Sequence, residues 1–292
     1  MIKKILKWTG IIIGSVLLLA LLGYGFVSHS ITSRMNKRYQ FAAEQISIPA
    51  GSASVAHGRH LTQIKGCTEC HGANLAGMVM ADDFPIGRLA SSNLTKGAGG
   101  LPADYSTQDW LRTLRHGVAR DGRPLLMMPS HEFSVLSRSD LADIIAYCQQ
   151  LPPVNNPLPA SRVGPVIRIM AYLDKMSLLP VEKINHSNPI LQTVDTTEGV
   201  ALGKYLSTAC TGCHRPNMRG GEPVAPGQPP VPNISASGDP GRWTKAQFFH
   251  TLRTGTTPGG HQMKSDNMPW TMTAKYSDKE LASLYAYLTS LK

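Results

Sequence analysis

The sequence predicts an all-α protein: two small helical domains in tandem behind one N-terminal transmembrane helix. Three observations carry this expectation. An uncharged apolar run opens the chain, the remainder repeats itself once, and the legible periodicity is helical with no convincing strand.

The opening run extends from Trp8 to Val27. It holds Ile11, Ile12, Ile13, Val16, Leu17, Leu18, Leu19, Leu21 and Leu22 and no charged side chain. About twenty apolar residues are what a helix needs to cross the hydrocarbon core of a bilayer. Lys3, Lys4 and Lys7 precede the run, which suits a secretory signal as well as an anchor. The run exceeds the usual signal core, however, and Gly23-Tyr24-Gly25 and Ser28-His29-Ser30 are weak cleavage sites. No cysteine near its end is available to take a lipid. The expectation is an uncleaved anchor which, with its flanks, occupies residues 1–40. Arg34, Lys37 and Arg38 on the far side balance the three lysines, so charge alone leaves the orientation open.

Those six basic residues also account for most of the formal net charge of +10. Beyond residue 40 stand 23 basic against 19 acidic side chains. With no basic stripe and no RNA-binding motif, nothing points to nucleic acid. At 292 residues, 42% of them apolar, the chain has room for two domains with real cores.

Four of the five cysteines fall in two identical patterns, Cys67-Thr68-Glu69-Cys70-His71 and Cys210-Thr211-Gly212-Cys213-His214. C-x-x-C-H is the attachment sequence for c-type haem. Two thiols one helical turn apart can each add to a vinyl group of the same porphyrin, and the adjacent histidine then lies under the iron. A redox dithiol needs no following histidine. A zinc site of two C-x-x-C pairs spaces them by about 15–20 residues, whereas 139 residues separate Cys70 from Cys210. Two covalently bound haems are therefore expected. Cys148 lies in an apolar helical pattern with no partner and is expected to be a buried, inert thiol.

The repeat extends well beyond the motifs. Asn74 and Gly77 match Asn217 and Gly220, and Asn93-Leu94-Thr95 matches Asn233-Ile234-Ser235. Leu114-Arg115 and Gly117 match Leu252-Arg253 and Gly255, and Met128-Pro129 matches Met268-Pro269. Helix signals sit where the repeat requires them. Ser277 to Glu280 forms a capping box before the apolar face Leu281, Leu284, Tyr285 and Leu288. Leu141, Ile144, Ile145 and Cys148 repeat that face behind Ser137 and Asp140, while Thr244 to Gln247 caps a helix carrying Phe248, Phe249 and Leu252.

This pattern resembles the cytochrome c domain: a helix before C-x-x-C-H, long loops, a Met-Pro ligand loop and a C-terminal helix. The resemblance covers nearly the whole chain beyond the anchor flanks. It gives domains at 41–154 and 195–292, joined by a linker over 155–194. It implies that Met128 and Met268 are the distal axial ligands opposite His71 and His214. His71 precedes Met128 by 57 residues and His214 precedes Met268 by 54, so the spacing agrees between the halves. Met127 stands beside Met128 as a competing ligand, and His131 and His261, unmatched between the halves, are the alternatives for bis-histidine ligation. His57, His60, His116 and His250 are also unmatched and read as surface or satisfied histidines.

Between the domains, Leu151 to Pro159 is rich in proline and reads as a stiff extended connection. It leads to an amphipathic stretch, Val166, Ile167, Ile169, Met170, Leu173 and Met176. Three covers suit that stretch: a haem domain, the membrane or a partner subunit.

The resemblance extends to membrane-bound cytochrome c subunits that take electrons from periplasmic dehydrogenases and feed the respiratory chain. It implies an electron relay, either one subunit of a membrane complex or a tethered shuttle, held in the bacterial inner membrane with its haem domains in the periplasm, where thioethers are made. Two readings compete: a di-haem enzyme of the peroxidase or thiosulfate-oxidising type, and a haem sensor. Both need an open iron, which a Met-Pro pair in each half argues against.

Overall fold

A computed structural model describes residues 1–224 and 227–292. The opening run lies within one long helix, α1 (Ile2–Asn36), the single described helix long and apolar enough to cross a membrane, with a mean hydropathy of 2.3 over 18 residues. Its apolar run packs on almost nothing. The last turns behave differently: Ile31 is fully buried, and Arg34 pairs with Glu182 through contacts of 3.0 and 2.5 Å.

Each half is then built the same way. In the first, α2 (Ser52–Ile64) leads to α3 (Cys67–His71), followed by α4 (Thr107–His116), α5 (Ser130–Phe133) and α6 (Arg138–Gln149). In the second, α8 (Val200–Leu206) leads to α9 (Thr211–His214), followed by α10 (Lys245–Thr254), α11 (Trp270–Thr273) and α12 (Asp278–Ser290). Capping boxes open α10 and α12 as expected, and Ser106 with Asp109 supplies another before α4.

The first and last helices of each half cross at close range. Gly58 on α2 lies against the carbonyl of Asp143 on α6, and Gly203 on α8 lies against that of Ser283 on α12. A Cβ at either position would overlap backbone, so glycine is required for the approach rather than for a turn. One apolar cluster then runs through both halves, from Leu61, Ile64, Leu111 and Leu141 to Leu202, Leu206, Leu281 and Leu288. Cys148 is buried in that cluster, and burial pushes its thiol well up, which keeps it protonated.

One expectation needs correction. Where no strand was expected, β1 (Val79–Asp83) and β2 (Gly87–Ala90) form an antiparallel hairpin, joined on β2 by β3 (Arg162–Val163). Strand alternation was not there to read, because β1 is largely exposed and its last residues are Asp82 and Asp83. The proline-rich connection is extended but not free-standing. Val154 exchanges hydrogen bonds with Asn93 and Thr95, and the Asn156 amide donates to the carbonyls of Ala76 and Gly77.

The amphipathic stretch becomes α7 (Pro165–Tyr172), which packs on α1. Ile167 and Ala171 join Ile31, Val118, Leu178, Leu179 and Val181 in a second, smaller cluster.

Candidate functional site

Both C-x-x-C-H motifs form a single helical turn at the end of the helix that opens their half. That turn sets two sulfurs on one side and leaves the histidine at its end. Past each histidine the chain turns away in one conformation, with φ of 78° at Gly72 and 66° at Arg215 and ψ of 164° at both. Gly77 and Gly220 then donate back to the carbonyls of His71 and His214, at 2.8 and 2.9 Å.

The next loop explains the repeated Asn-x-Thr/Ser. The Asn93 side chain accepts from both the amide and the hydroxyl of Thr95, and Asn233 does the same with Ser235. This side-chain turn fixes the backbone just before it. Those carbonyls receive the imidazoles: His71 Nδ1 donates to Ser92 O at 2.8 Å, and His214 Nδ1 to Pro232 O at 2.9 Å. With Nδ1 carrying the proton, Nε2 keeps its lone pair for a metal. Burial lowers the pKa of both histidines, outweighing the carbonyl bonds that raise it, so the neutral ligand form is favoured.

Each histidine opens on a cavity. The first, of about 430 Å³, is lined by Cys67, Cys70, His71, Leu94, Trp110, Met127 and Met128 among others. The second, of about 370 Å³, is lined by Cys210, Cys213, His214, Ile234, Trp243, Phe248 and Met268 among others. Mostly apolar walls of this size suit a flat, largely apolar cofactor. Burial pushes Cys67 and Cys210 up to about 12, so both sulfurs are uncharged at neutral pH and sit where a thioether belongs.

Met128 and Met268 enter the two cavities from matching turns. Ser130 N donates to Met128 O at 2.7 Å and Trp270 N to Met268 O at 2.7 Å, with Pro129 and Pro269 as the caps of α5 and α11. Met127 also borders the first cavity, but it packs against the smaller cluster beside α1, whereas Met128 packs against the main core. His261 borders the second cavity; His131 lies on α5 and is not among the residues lining the first. Among the unmatched histidines, His57 donates to Asp143 at 2.8 Å, His60 meets Glu280, His116 meets His186 at 2.9 Å, and His250 is exposed.

The contact between the domains holds groups that sequence reasoning missed. Lys65 Nζ donates to Thr208 at 3.3 Å, and the two residues hold matching positions, each two before the first cysteine of its motif. Burial lowers the Lys65 pKa, and Asp140, Cys210, Glu132 and Glu280 partly oppose it. Glu132, on α5, reaches Gly212 of the second motif, and burial pushes its carboxyl up to about 7. Tyr276 donates to Ile64 O at 3.2 Å. A charged residue beside a repeated motif was the available signal for Lys65, but neither Lys65 nor Glu132 has a counterpart of its own type in the other half.

The family model of cytochrome c matches residues 55–152 and 200–292. The chain belongs to the cytochrome c family. Its two cytochrome c domains carry two haem c groups, one for each cavity. The cytochrome c subunit of the quinone-dependent alcohol dehydrogenase of Gluconacetobacter polyoxogenes is 27% identical over 275 residues, 83% of this chain and 57% of that protein. The fructose dehydrogenase cytochrome subunit of Gluconobacter japonicus is 24% identical over 224 residues, 70% of this chain and 45% of that protein. This cytochrome c chain thus spans about half the length of the curated relatives it matches. Among solved structures, reduced recombinant cytochrome c4 from Pseudomonas stutzeri aligns over 84% of this chain and 100% of its own, at 20% identity and a TM-score of 0.23.

Proposed function

We propose that the protein is a membrane-tethered electron relay, with His71 and Met128 as axial ligands of one haem and His214 and Met268 as those of the other. The observation that carries this reading is the pairing inside each cavity: a histidine oriented through Nδ1 faces a space that a methionine enters from a Met-Pro turn. Haem c supplies reversible one-electron exchange at its iron, and a methionine ligand raises the potential. The chain's own residues hold the imidazoles in one tautomer and keep water out with apolar walls.

In this reading α1 crosses the bacterial inner membrane, the domains at 41–154 and 195–292 stand in the periplasm, and the chain is one subunit of a dehydrogenase complex. The relatives' names support a dehydrogenase as donor; a respiratory-chain acceptor completes the proposal. The test is carbon monoxide. Added to the native protein after reduction, it should bind slowly and incompletely at both haems. Rapid binding of one equivalent would mean an open iron and would move the protein to the enzyme or sensor class.

A further inference from the structure

α7 uses its two sides differently. Ile167 and Ala171 are buried against α1, while Ile169, Tyr172 and Leu173 remain 41, 40 and 60% exposed. A soluble surface rarely leaves three such side chains together at the end of one short helix.

The direction of α7 says what lies beside them. Arg168 donates to Ser28 O at 3.2 Å and to the Thr32 hydroxyl at 2.8 Å. One turn later the Tyr172 ring meets Phe26 edge-on, with 6.0 Å between centroids. As residue numbers rise along α7 they fall along α1, so the last turn of α7 points down the anchor toward its apolar run. Phe26 lies within that run, is itself exposed, and shares its depth with the ring packed on it.

We propose that this turn is a second membrane contact, in which Ile169, Tyr172 and Leu173 enter the boundary between headgroups and acyl chains beside Phe26. The inference rests on the anchor reading given above. The occupant is lipid because the patch joins the apolar run of α1 through the Tyr172–Phe26 ring contact. Its composition fits the depth: a tyrosine and two aliphatic side chains at the boundary, with Arg168 one turn higher, where an arginine meets headgroups. Asp174, which follows Leu173 in the chain, is paired with Lys183 at 3.1 Å.

Two anchoring points fix what one helix leaves free, the tilt and rotation of the domains over the membrane. The wall of the first cavity includes Met35 and Asn36. Asn36 stands nine residues beyond Val27, or about 14 Å along a helix. The first haem is thereby the one held close to the bilayer.

Nitroxide labels on the full-length holoprotein in phosphatidylethanolamine–phosphatidylglycerol vesicles test this. Leu18→Cys, Leu173→Cys and Lys279→Cys place them at the anchor midpoint, on the patch and on remote exposed surface; buried Cys148 does not react. The readout is the ratio of collision with oxygen, which enriches in lipid, to collision with a water-soluble nickel chelate. The haem spectrum reports that each variant is folded. At Leu173→Cys the ratio should exceed that at Lys279→Cys several-fold and approach that at Leu18→Cys. An aqueous ratio at Leu173→Cys with a lipid ratio at Leu18→Cys overturns the second contact and leaves the anchor standing. Shielding of Leu173→Cys from both reagents overturns it in favour of a protein cover. An aqueous ratio at Leu18→Cys removes the anchor itself, and this inference with it.

Discussion

The phenol of Tyr205 donates to the carboxylate of Asp140 at 2.6 Å across the contact between the two domains, and accepts from the amide of Ser137 at 2.9 Å. On the other side of the same contact His60 meets Glu280 at 2.8 Å. The two pairs are one arrangement used twice. His60 and Tyr205 each lie two residues beyond the glycine at their helix crossing, and Asp140 and Glu280 are each the third residue of a C-terminal helix. The domains thus grip each other reciprocally, as a pseudo-two-fold axis passing between Lys65 and Thr208 would require. The pairs differ in one respect. Glu280 closes its own capping box through Ser277 N, whereas Asp140 does not, and Tyr205 from the other domain takes the Ser137 amide instead.

Tyr205→Phe should therefore cost more than one surface hydrogen bond. It leaves the buried Asp140 carboxylate and the Ser137 amide without their partner, a loss of about 1–3 kcal/mol. Chemical denaturation followed by haem absorbance measures it. A double-mutant cycle with Asp140→Asn should show strong coupling, and additive effects would mean that the pair does not hold the domains together.

The glycines at the helix crossings give a second expectation. Gly58→Ala and Gly203→Ala each push a methyl group into a backbone carbonyl, and forced separation of packed helices costs about 1–3 kcal/mol or more. Gly10→Ala, with open space around it, is the control and should leave the denaturation midpoint unchanged. Equal midpoints for all three variants would contradict the close approach.

Much of this architecture was legible because the chain says it twice. The haem motifs and the Met-Pro turns were readable from matched residues, and the caps at Thr244 and Ser277 from their own capping-box spacing. The Asn-x-Thr/Ser match was visible too, but its purpose was not, since it acts through the carbonyls of Ser92 and Pro232, residues that do not match each other. What appears once was hard to read. In the β1–β2 hairpin β1 buries no residue and β2 only Leu89, too little to impose a legible alternation. The amphipathicity of α7 was plain, yet periodicity cannot say that its partner would be the end of α1. Tyr205 and Asp140 are 65 positions apart and of different type, so only the folded chain joins them.

The two adjacent methionines separate by what they pack against. Met127 has φ of 60° and leans on the small cluster beside α1, while Met128 occupies the turn that Met268 repeats. Met128→Ala should open one iron to carbon monoxide and lower that haem's potential on the order of 0.1 V, a fraction of the ~0.8 V range that axial ligation spans. Met127→Ala should leave the ligand field unchanged. Redox titration with near-infrared detection of the methionine–iron charge-transfer band distinguishes them, and loss of the band in Met127→Ala alone would exchange their roles.

Glu132 makes the domain contact sensitive to pH. Burial pushes its carboxyl up to about 7, opposed by Lys65 and by the amide of Gly212, from an ordinary 4.5 in the unfolded chain. Between those values the folded protein holds a proton that the unfolded chain has released, so stability from this group is complete below 4.5 and falls as pH rises through 7. Glu132→Gln keeps the shape and cannot ionise, and should flatten that decline. Relative to the parent, the variant gains with rising pH, by about 1–3 kcal/mol at most between pH 5 and pH 8. Chemical denaturation of parent and variant at both pH values measures the difference. A constant difference at the two values would mean that Glu132 does not change ionisation between the folded and unfolded chains.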